Sequence, residues 1–230
     1  MKPLHNFIEL FFPRCCAVCG NLLVGDEHEI CTQCLLSLPE AYTAASENNY
    51  IEHRLQGRIH LTGAIVLLVF RRGNSVQKLL HQIKYRGNEQ LAITMGRQLG
   101  LRIAESHRFD DVDLLLPVPL HRRKQRRRGY NQSLLLCKGI AQTFPRPIMT
   151  DNLMRTRHTP SQTHMNRRER LENMKEVFTV RDAETLKGKH LLLVDDVITT
   201  GSTTEACAIP LLSVEGVRLS VAALASAGDV

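Results

Sequence analysis

The stretch LLLVDDVITTGST, residues 191–203, decides the fold. Its first four residues are continuously apolar, which is typical of a strand buried on both faces of a parallel sheet. Asp195 and Asp196 follow at the predicted carboxyl end of that strand, and Thr199-Thr200-Gly201-Ser202-Thr203 leads into a predicted helix. Ligands of open α/β sheets bind outside the carboxyl ends of the strands. The stretch therefore predicts an α/β fold and the place of its binding site.

The chemistry of this stretch favours a phosphorylated sugar as the ligand. Gly201 permits a tight turn, and backbone N–H groups at a helix start, with Thr and Ser hydroxyls, can surround a phosphate. Two carboxylates cannot face the same phosphate, because like charges repel, but one sugar-length away they can accept hydrogen bonds from ribose hydroxyls. A buried strand and capped turn without a ligand is the alternative, and it leaves both acids unexplained. The stretch matches neither a P-loop nor a dinucleotide fingerprint.

Working outward, further apolar runs predict strands that alternate with helices. We expect strands at residues 63–70, 114–118 and 217–225. We expect helices at residues 90–106, 131–144, 166–174 and 203–212, and one more that begins at Ser75 as its N-cap. Residues 39–49 are predicted to be a connector. This alternation indicates a central parallel sheet.

Charge divides the 230-residue chain into two parts. Residues 1–60 hold four basic and seven acidic residues, whereas residues 61–230 hold 26 basic and 16 acidic ones. We expect a cysteine-rich unit with a connector in residues 1–60 and the α/β domain in residues 61–230. A basic domain suits phosphate-rich ligands, whether small or polymeric. The chain has no Trp and only 5% aromatic residues, which weighs against a base-stacking surface.

The sequence lacks the features of a targeting or membrane segment. The apolar patch near the N-terminus is interrupted by Glu9 and is far shorter than the ~20 residues of a membrane span. It also lacks the charged start and the cleavage site of a signal peptide. We therefore expect a cytoplasmic protein.

Four cysteines predict a structural metal site. Cys16-x2-Cys19 and Cys31-x2-Cys34 have the spacing of two knuckles that complete a tetrahedral site of four thiolates for Zn²⁺. Disulfides and unrelated buried thiols are the alternatives, although an odd cysteine count in a cytoplasmic chain argues against disulfides. Cys15 could replace Cys16, but only Cys16 gives the x2 spacing. Because the local charge is negative, we expect a structural or docking role for this unit rather than phosphate binding.

A strongly basic segment follows the predicted strand 114–118. Val118 and Pro119 end that strand, and the sequence HRRKQRRRGYNQ occupies residues 121–132. A solvated basic helix or a nucleic-acid patch is the plain interpretation. Because the segment follows a strand of the ligand-binding sheet, we favour a loop that contacts polyphosphate.

Taken together, the motifs resemble those of one family. They are the two CxxC pairs, LLHQIKYRG at 79–87, PVPLHRRKQRRRGYNQS at 117–133, RTRHTPSQTHMNRRERLEN at 155–173 and the stretch 191–203. The combination resembles the ComF family of competence-associated proteins, which are similar to type I phosphoribosyltransferases. The resemblance covers essentially the whole chain, with Tyr130 standing where the family often has Phe.

The resemblance implies a type I phosphoribosyltransferase fold and a site for phosphoribosyl pyrophosphate (PRPP), bound with Mg²⁺. Asp195 and Asp196 would orient the ribose. Residues 155–170 would form a flap that closes over PRPP, including Thr159, Gln162, Arg167 and Arg170. The implied PRPP-binding residues are Thr199, Thr200, Gly201, Ser202, Thr203, Val118, Pro119, Lys84, Tyr85 and Arg170, and the implied zinc ligands are Cys16, Cys19, Cys31 and Cys34.

Three classes of function remain open from the sequence. The first is an active phosphoribosyltransferase with an unknown acceptor, associated with DNA uptake or nucleotide salvage. The second is a non-catalytic PRPP-binding accessory factor that binds single-stranded DNA or a DNA-translocation helicase. The third is a zinc-ribbon nucleic-acid binder with a vestigial PRPP site. The intact DDVITTGST favours the first two.

Overall fold

The computed structural model describes residues 13–41, 43, 47–156 and 177–227. A four-stranded parallel sheet forms its centre, in the order β1-β6-β5-β2. The strands are β1 (Gly63–Phe70), β2 (Leu114–Pro117), β5 (His190–Ile198) and β6 (Arg218–Ala227). The α/β class and the parallel sheet predicted from the sequence are confirmed.

The four strands of the sheet are apolar and pair in parallel. Gly63 of β1 lies opposite Ser220 of β6, and Leu191 of β5 lies opposite Leu219 of β6 and Leu114 of β2. The strand β1, GAIVLLVF, is buried along nearly its whole length, because helices cover both faces of a parallel sheet.

Helices form a layer on each face. The larger set is α3 (Ser75–Tyr85), α4 (Glu89–Ser106) and α6 (Gln132–Thr143), and the other face carries α2 (Tyr50–Leu55) and α7 (Ser202–Leu212). The hairpin of β3 (Leu153–Arg155) and β4 (Phe178–Val180) packs on the second face. Two short helices, α1 (Thr32–Leu36) and α5 (Arg122–Arg128), and a 3-10 turn at Glu184–Leu186 complete the described elements.

Helices α4 and α6 approach each other closely because three glycines line their contact. A Cβ atom added to Gly139 would lie 2.1 Å from the carbonyl oxygen of Ile93, and one added to Gly96 would lie 2.4 Å from that of Leu136. This contact fixes α6 over β2 and β5, and α6 supplies Ser133 to the candidate site described below.

Several local predictions differ from the structure. The N-cap of α3 is Asn74, not Ser75, because the Asn74 side chain accepts a hydrogen bond from the N–H of Gln77. The residues predicted as a connector begin with a segment along the free edge of β1. The N–H of Ala41 donates to Leu67 and the N–H of Val69 donates to Pro39. This pairing covers an edge that would otherwise expose unpaired backbone groups.

Candidate functional site

The predicted acid pair lies at the carboxyl edge of the sheet, in its central region. Asp195 and Asp196 belong to β5, which continues to Ile198, although the sequence predicted a strand that ends at Val194. The strand is longer because β6 pairs with it as far as Ser226, opposite Ile198. The neighbour β2 ends earlier, at Pro117, so it leaves one side of the acid pair open.

Asp195 is the buried member of the pair. Its carboxylate oxygen Oδ1 accepts hydrogen bonds from the N–H of Asp196 at 2.8 Å and from the Ser133 hydroxyl at 3.4 Å. Burial, and secondly the charge of Asp196, raise the pKa of Asp195 to about 7. The N–H of Asp196 and the charge of Lys84 act in the opposite direction. At neutral pH this carboxyl group can therefore either donate or accept a hydrogen bond.

Asp196 is held by a cation. The Lys84 Nζ lies 3.1 Å from Asp196 Oδ1, and both side chains are largely buried. The next residue, Tyr85, is 59% exposed and lies in contact with the His81 ring and with the Arg128 guanidinium, which is 5.4 Å from its ring centre. The structure thus brings Lys84 to the acid pair and places the exposed Tyr85 against Arg128 of α5.

The turn after β5 presents hydroxyl groups and the start of a helix. Gly201 has φ 78° and immediately precedes α7, an eleven-residue helix whose first N–H groups point towards the loop. The Thr200 and Ser202 hydroxyls are 2.9 Å apart, and the N–H of Ser202 donates to the Thr200 hydroxyl at 3.4 Å. Thr199, Thr200 and Thr203 are exposed. We call residues 199–203 the phosphate loop below.

Val118 and Pro119, at the end of β2, offer no free backbone N–H to a ligand. The N–H of Val118 already donates to Val194 at 2.9 Å, and its carbonyl accepts from Asn131 at 3.0 Å. Pro119 has no N–H. These two residues can thus contribute a van der Waals surface, and N–H donors can come only from residues further along the chain.

The basic segment predicted as a loop forms the helix α5. His121 caps its start by accepting from the N–H of Arg123, and Gly129, with φ 86°, ends it. Burial, followed by the charges of Arg155 and Arg128, lowers the pKa of Lys124. Positive charge is therefore concentrated beside the carboxyl end of β2.

The predicted flap is only partly described. Arg155 ends β3, and its guanidinium lies 5.3 Å from the centre of the Phe178 ring. Thr159, Gln162, Arg167 and Arg170, together with the helix predicted at residues 166–174, lie outside the described residues.

The four predicted cysteine ligands lie together. The sulfur atoms of Cys16, Cys19, Cys31 and Cys34 are all within 4.8 Å of one another, and those of Cys19 and Cys31 are 3.8 Å apart. Zn–S bonds of 2.3 Å at tetrahedral angles require sulfur atoms about 3.8 Å apart. Four cysteines at these distances could bind a metal such as zinc. Cys15 does not belong to this cluster, and its thiol faces the carbonyl of Pro13.

Backbone N–H groups support the cysteine cluster. The sulfur of Cys16 accepts from the N–H of Cys31 at 3.4 Å and of Val18 at 3.5 Å. Burial raises the pKa of Cys16, but the N–H groups outweigh it and lower this pKa to about 6. Such contacts favour the thiolate, which is the form that binds metal.

The chain is similar to several bacterial proteins. The DNA utilization protein YhgH of Salmonella typhimurium is 30% identical over 205 residues, which cover 86% of this chain and 83% of that protein. This chain is a member of the YhgH/ComF family. The family assignment confirms the resemblance drawn from the sequence motifs.

Other similarities to the family are shorter. YhgH of Escherichia coli O157:H7 is 34% identical over 137 residues, 58% of this chain and 60% of that protein. Competence protein F of Haemophilus influenzae is 32% identical over 129 residues, 54% of this chain and 56% of that protein. A solved glutamine PRPP amidotransferase from B. subtilis superposes with a TM-score of 0.41 and 16% identity, over 61% of this chain and 30% of that one. No protein-family model matches the chain.

The structure also shows contacts to the candidate site that sequence reasoning missed. Ser133 reaches Asp195 from α6, and Arg54 and Arg58 reach the phosphate loop from the region of α2. These residues are 62 or more positions from their partners, so no local motif could reveal the contacts.

A cavity of about 790 Å³ beside α2 is lined by none of residues 191–203. None of the helices in the described ranges is long and apolar enough to cross a membrane.

Proposed function

We propose that the carboxyl edge of β2 and β5 binds PRPP and that the protein transfers its phosphoribosyl group to a nucleophile. The observation that carries this proposal is the pair Asp195–Asp196 directly followed by the phosphate loop. One strand end thus presents carboxylates directly before a turn with N–H and hydroxyl donors, a combination that suits a ribose 5-phosphate.

The phosphate loop would hold the 5-phosphate. The N–H groups at the start of α7 and the hydroxyls of Thr200 and Ser202 are donors, and the helix dipole favours negative charge at that end. The carboxylates would accept hydrogen bonds from the ribose hydroxyls. Asp195, whose pKa lies near 7, can also donate one.

The pyrophosphate end would lie towards α5 and Lys84. Lys84 neutralises Asp196 in the free protein, and an incoming pyrophosphate offers this ammonium group a more highly charged partner. Arg123, Arg126 and Arg127 are exposed on α5, where they can stabilise negative charge that develops on the leaving group.

The transfer breaks the bond between C1 of the ribose and the pyrophosphate oxygen, which leaves with the bonding electron pair. The acceptor supplies the electron pair for the new bond to C1, and its proton passes to solvent. The protein's part is positioning and electrostatic stabilisation. Mg²⁺ bound with PRPP would neutralise pyrophosphate charge, and the carboxylate of Asp196, which pairs with the Lys84 ammonium in the free protein, would be available to a cation there.

We also propose that the cysteine cluster holds structural Zn²⁺, and that residues 1–60 and 61–230 are the two units of the chain, with α2 of the first unit packed on the sheet of the second. The sulfur distances and the N–H···S contacts support the zinc site.

A second candidate function is that of an accessory factor that binds single-stranded DNA. The printed names of the relatives, DNA utilization protein and competence protein F, support a role connected with DNA. The exposed arginines of α5 supply a surface for a polyanion. Both functions can exist in one chain, because the phosphate loop that would hold the 5-phosphate and the helix α5 are different elements.

Calorimetric titration with PRPP and Mg²⁺ tests the proposed function. We expect the wild-type protein to bind and the double variant Asp195→Asn/Asp196→Asn to bind at least about tenfold more weakly, because two carboxylate acceptors for the ribose are lost. Asp110→Asn is the matched control, since Asp110 is an exposed acid that pairs with His107 elsewhere on the molecule. A folded wild-type protein without binding would exclude a functional PRPP site.

A further inference from the structure

Two arginines donate hydrogen bonds to backbone carbonyls of the phosphate loop. The Arg54 guanidinium, on α2, donates to the carbonyl of Thr199 at 2.8 Å and also to that of Ala227 at the end of β6. The Arg58 guanidinium, three residues after α2, donates to the carbonyl of Thr200 at 2.7 Å. We propose that Arg54 and Arg58 are positioning residues that aim the N–H groups of the phosphate loop at a bound phosphate. This inference rests on the proposed function.

In a planar trans peptide, the C=O and the N–H point in opposite directions. The carbonyl of Thr199 shares a peptide plane with the N–H of Thr200, and the carbonyl of Thr200 shares one with the N–H of Gly201. Each arginine therefore fixes one peptide plane, with its N–H turned away from the guanidinium. The two donors are then oriented before a phosphate arrives, so binding does not have to order them.

The arginines also strengthen the loop as a donor. A hydrogen bond from a charged group polarises the peptide that accepts it, and successive hydrogen bonds reinforce one another. The N–H on the far side of the same peptide consequently becomes a better donor to an anion. The Arg54 guanidinium charge adds a favourable field at the same place.

Arg58 has a second effect through Glu205, in the first turn of α7. Glu205 is buried, and its carboxylate accepts from the Arg58 Nε at 3.0 Å and from its Nη2. An unpaired carboxylate at the start of this helix would repel a phosphate. Arg58 neutralises that charge, so its loss would expose the phosphate to Glu205.

Packing supports the same interpretation. Leu55 of α2 is fully buried, and a Cβ atom on Gly201 would lie 2.5 Å from its Cδ2. The left-handed Gly201 thus fits against α2, and the segment 54–58 forms the outer wall of the phosphate loop.

The test uses ribose 5-phosphate and inorganic pyrophosphate as separate probes in calorimetry. We expect Arg54→Gln to bind ribose 5-phosphate about tenfold more weakly, and Arg58→Gln more weakly still. Pyrophosphate, whose proposed site lies towards α5, should bind with unchanged affinity. Glu205→Gln should bind ribose 5-phosphate at least as well as the wild type, and Arg58→Gln/Glu205→Gln should recover part of the loss.

Arg146→Gln is the matched control, because Arg146 also donates to backbone carbonyls, those of Val112, Asp110 and Pro145, away from residues 199–203. It should leave both affinities unchanged. If the wild type binds ribose 5-phosphate and the Arg54 and Arg58 variants bind it equally well, the inference is wrong while the proposed function stands. Equal loss of both probes would also overturn it. A wild type that binds neither probe would instead refute the proposed function.

Discussion

At the scale of single residues, the adjacent acids Asp195 and Asp196 have different surroundings. Asp195 lies beneath the edge of the sheet, where burial raises its pKa, whereas Asp196 pairs with Lys84. Retaining an ionised carboxylate in a buried place costs stability, and proteins accept that cost at functional sites. Asp195 is thus a place where binding and stability oppose each other.

The first prediction concerns Asp195→Asn. The pKa of Asp195 is raised from its ordinary 3.8 to about 7 in the folded protein. Folding therefore favours the neutral Asp195 carboxyl. This stabilisation is fully present below about pH 3.8 and is lost as the pH rises through 7. We expect Asp195→Asn to raise the free energy of unfolding by about 1 to 3 kcal/mol at pH 8, and by less at pH 5. Urea denaturation at both pH values measures this.

Asp110→Asn, on an exposed acid, provides the comparison and should change stability little at either pH. A loss of stability in Asp195→Asn at pH 8 would show that the Asp195 carboxylate is better stabilised than its surroundings indicate.

At the scale of elements, α5 is the feature that sequence reasoning assigned wrongly. The position of the basic run directly after a strand of the ligand-binding sheet favours a loop, with a solvated basic helix as the alternative. The structure has a helix because both ends are capped, by His121 and by Gly129. Both capping residues stand in the sequence, so attention to them would have revealed the helix.

The second candidate function leads to a prediction for this helix. We expect Arg123→Gln/Arg126→Gln/Arg127→Gln to weaken binding of single-stranded DNA and to make the dependence of log K on log salt shallower by about 2, because three phosphate contacts are lost. Fluorescence anisotropy with a labelled oligonucleotide at several salt concentrations measures this. The control Lys187→Gln/Lys189→Gln, near the start of β5, should leave the slope unchanged. An unaltered slope in the triple variant would exclude α5 as the DNA-binding surface.

Local pattern and long-range contact explain how much of the structure the sequence could predict. The apolar runs of the sequence predict β1, β2 and β6 nearly to their ends, because a continuous apolar run is typical of a strand buried in a parallel sheet. The extension of β5 through Asp195 and Asp196 was missed, since acids within a buried strand contradict that pattern. Arg54 and Arg58 were missed because nothing near them in the sequence identifies a partner more than 140 residues away.

At the scale of the whole molecule, the cysteine cluster packs against the rest of the protein. Cys16, Val18, Ile30 and Cys31 belong to the same hydrophobic cluster as α3 and α4. Asn88, the N-cap of α4, donates to the Glu29 carboxylate at 2.6 Å. A metal that holds the four cysteines together would therefore also stabilise the packing of residues 16–31 against α3 and α4.

The last prediction follows from this arrangement. We expect one zinc ion per chain, and we expect Cys16→Ser to reduce both the zinc content and the unfolding temperature, because a metal site contributes its binding energy to folding. Cys15→Ser is a closely matched control, since the neighbouring Cys15 lies outside the cluster. Elemental analysis and thermal denaturation measure the two effects. Zinc retained by Cys16→Ser and lost by Cys15→Ser would reverse the assignment of the ligands.

The docking of α2 against Gly201 has a consequence for how such chains can recombine. A chimera joined at residue 60 would combine the α2 of one relative with the phosphate loop of another, and so separate Leu55 and Arg58 from the residues they fit. A junction at residue 49, just before α2, would keep them together. Grafted N-terminal units should therefore be tolerated far better when the crossover precedes α2 than when it follows it.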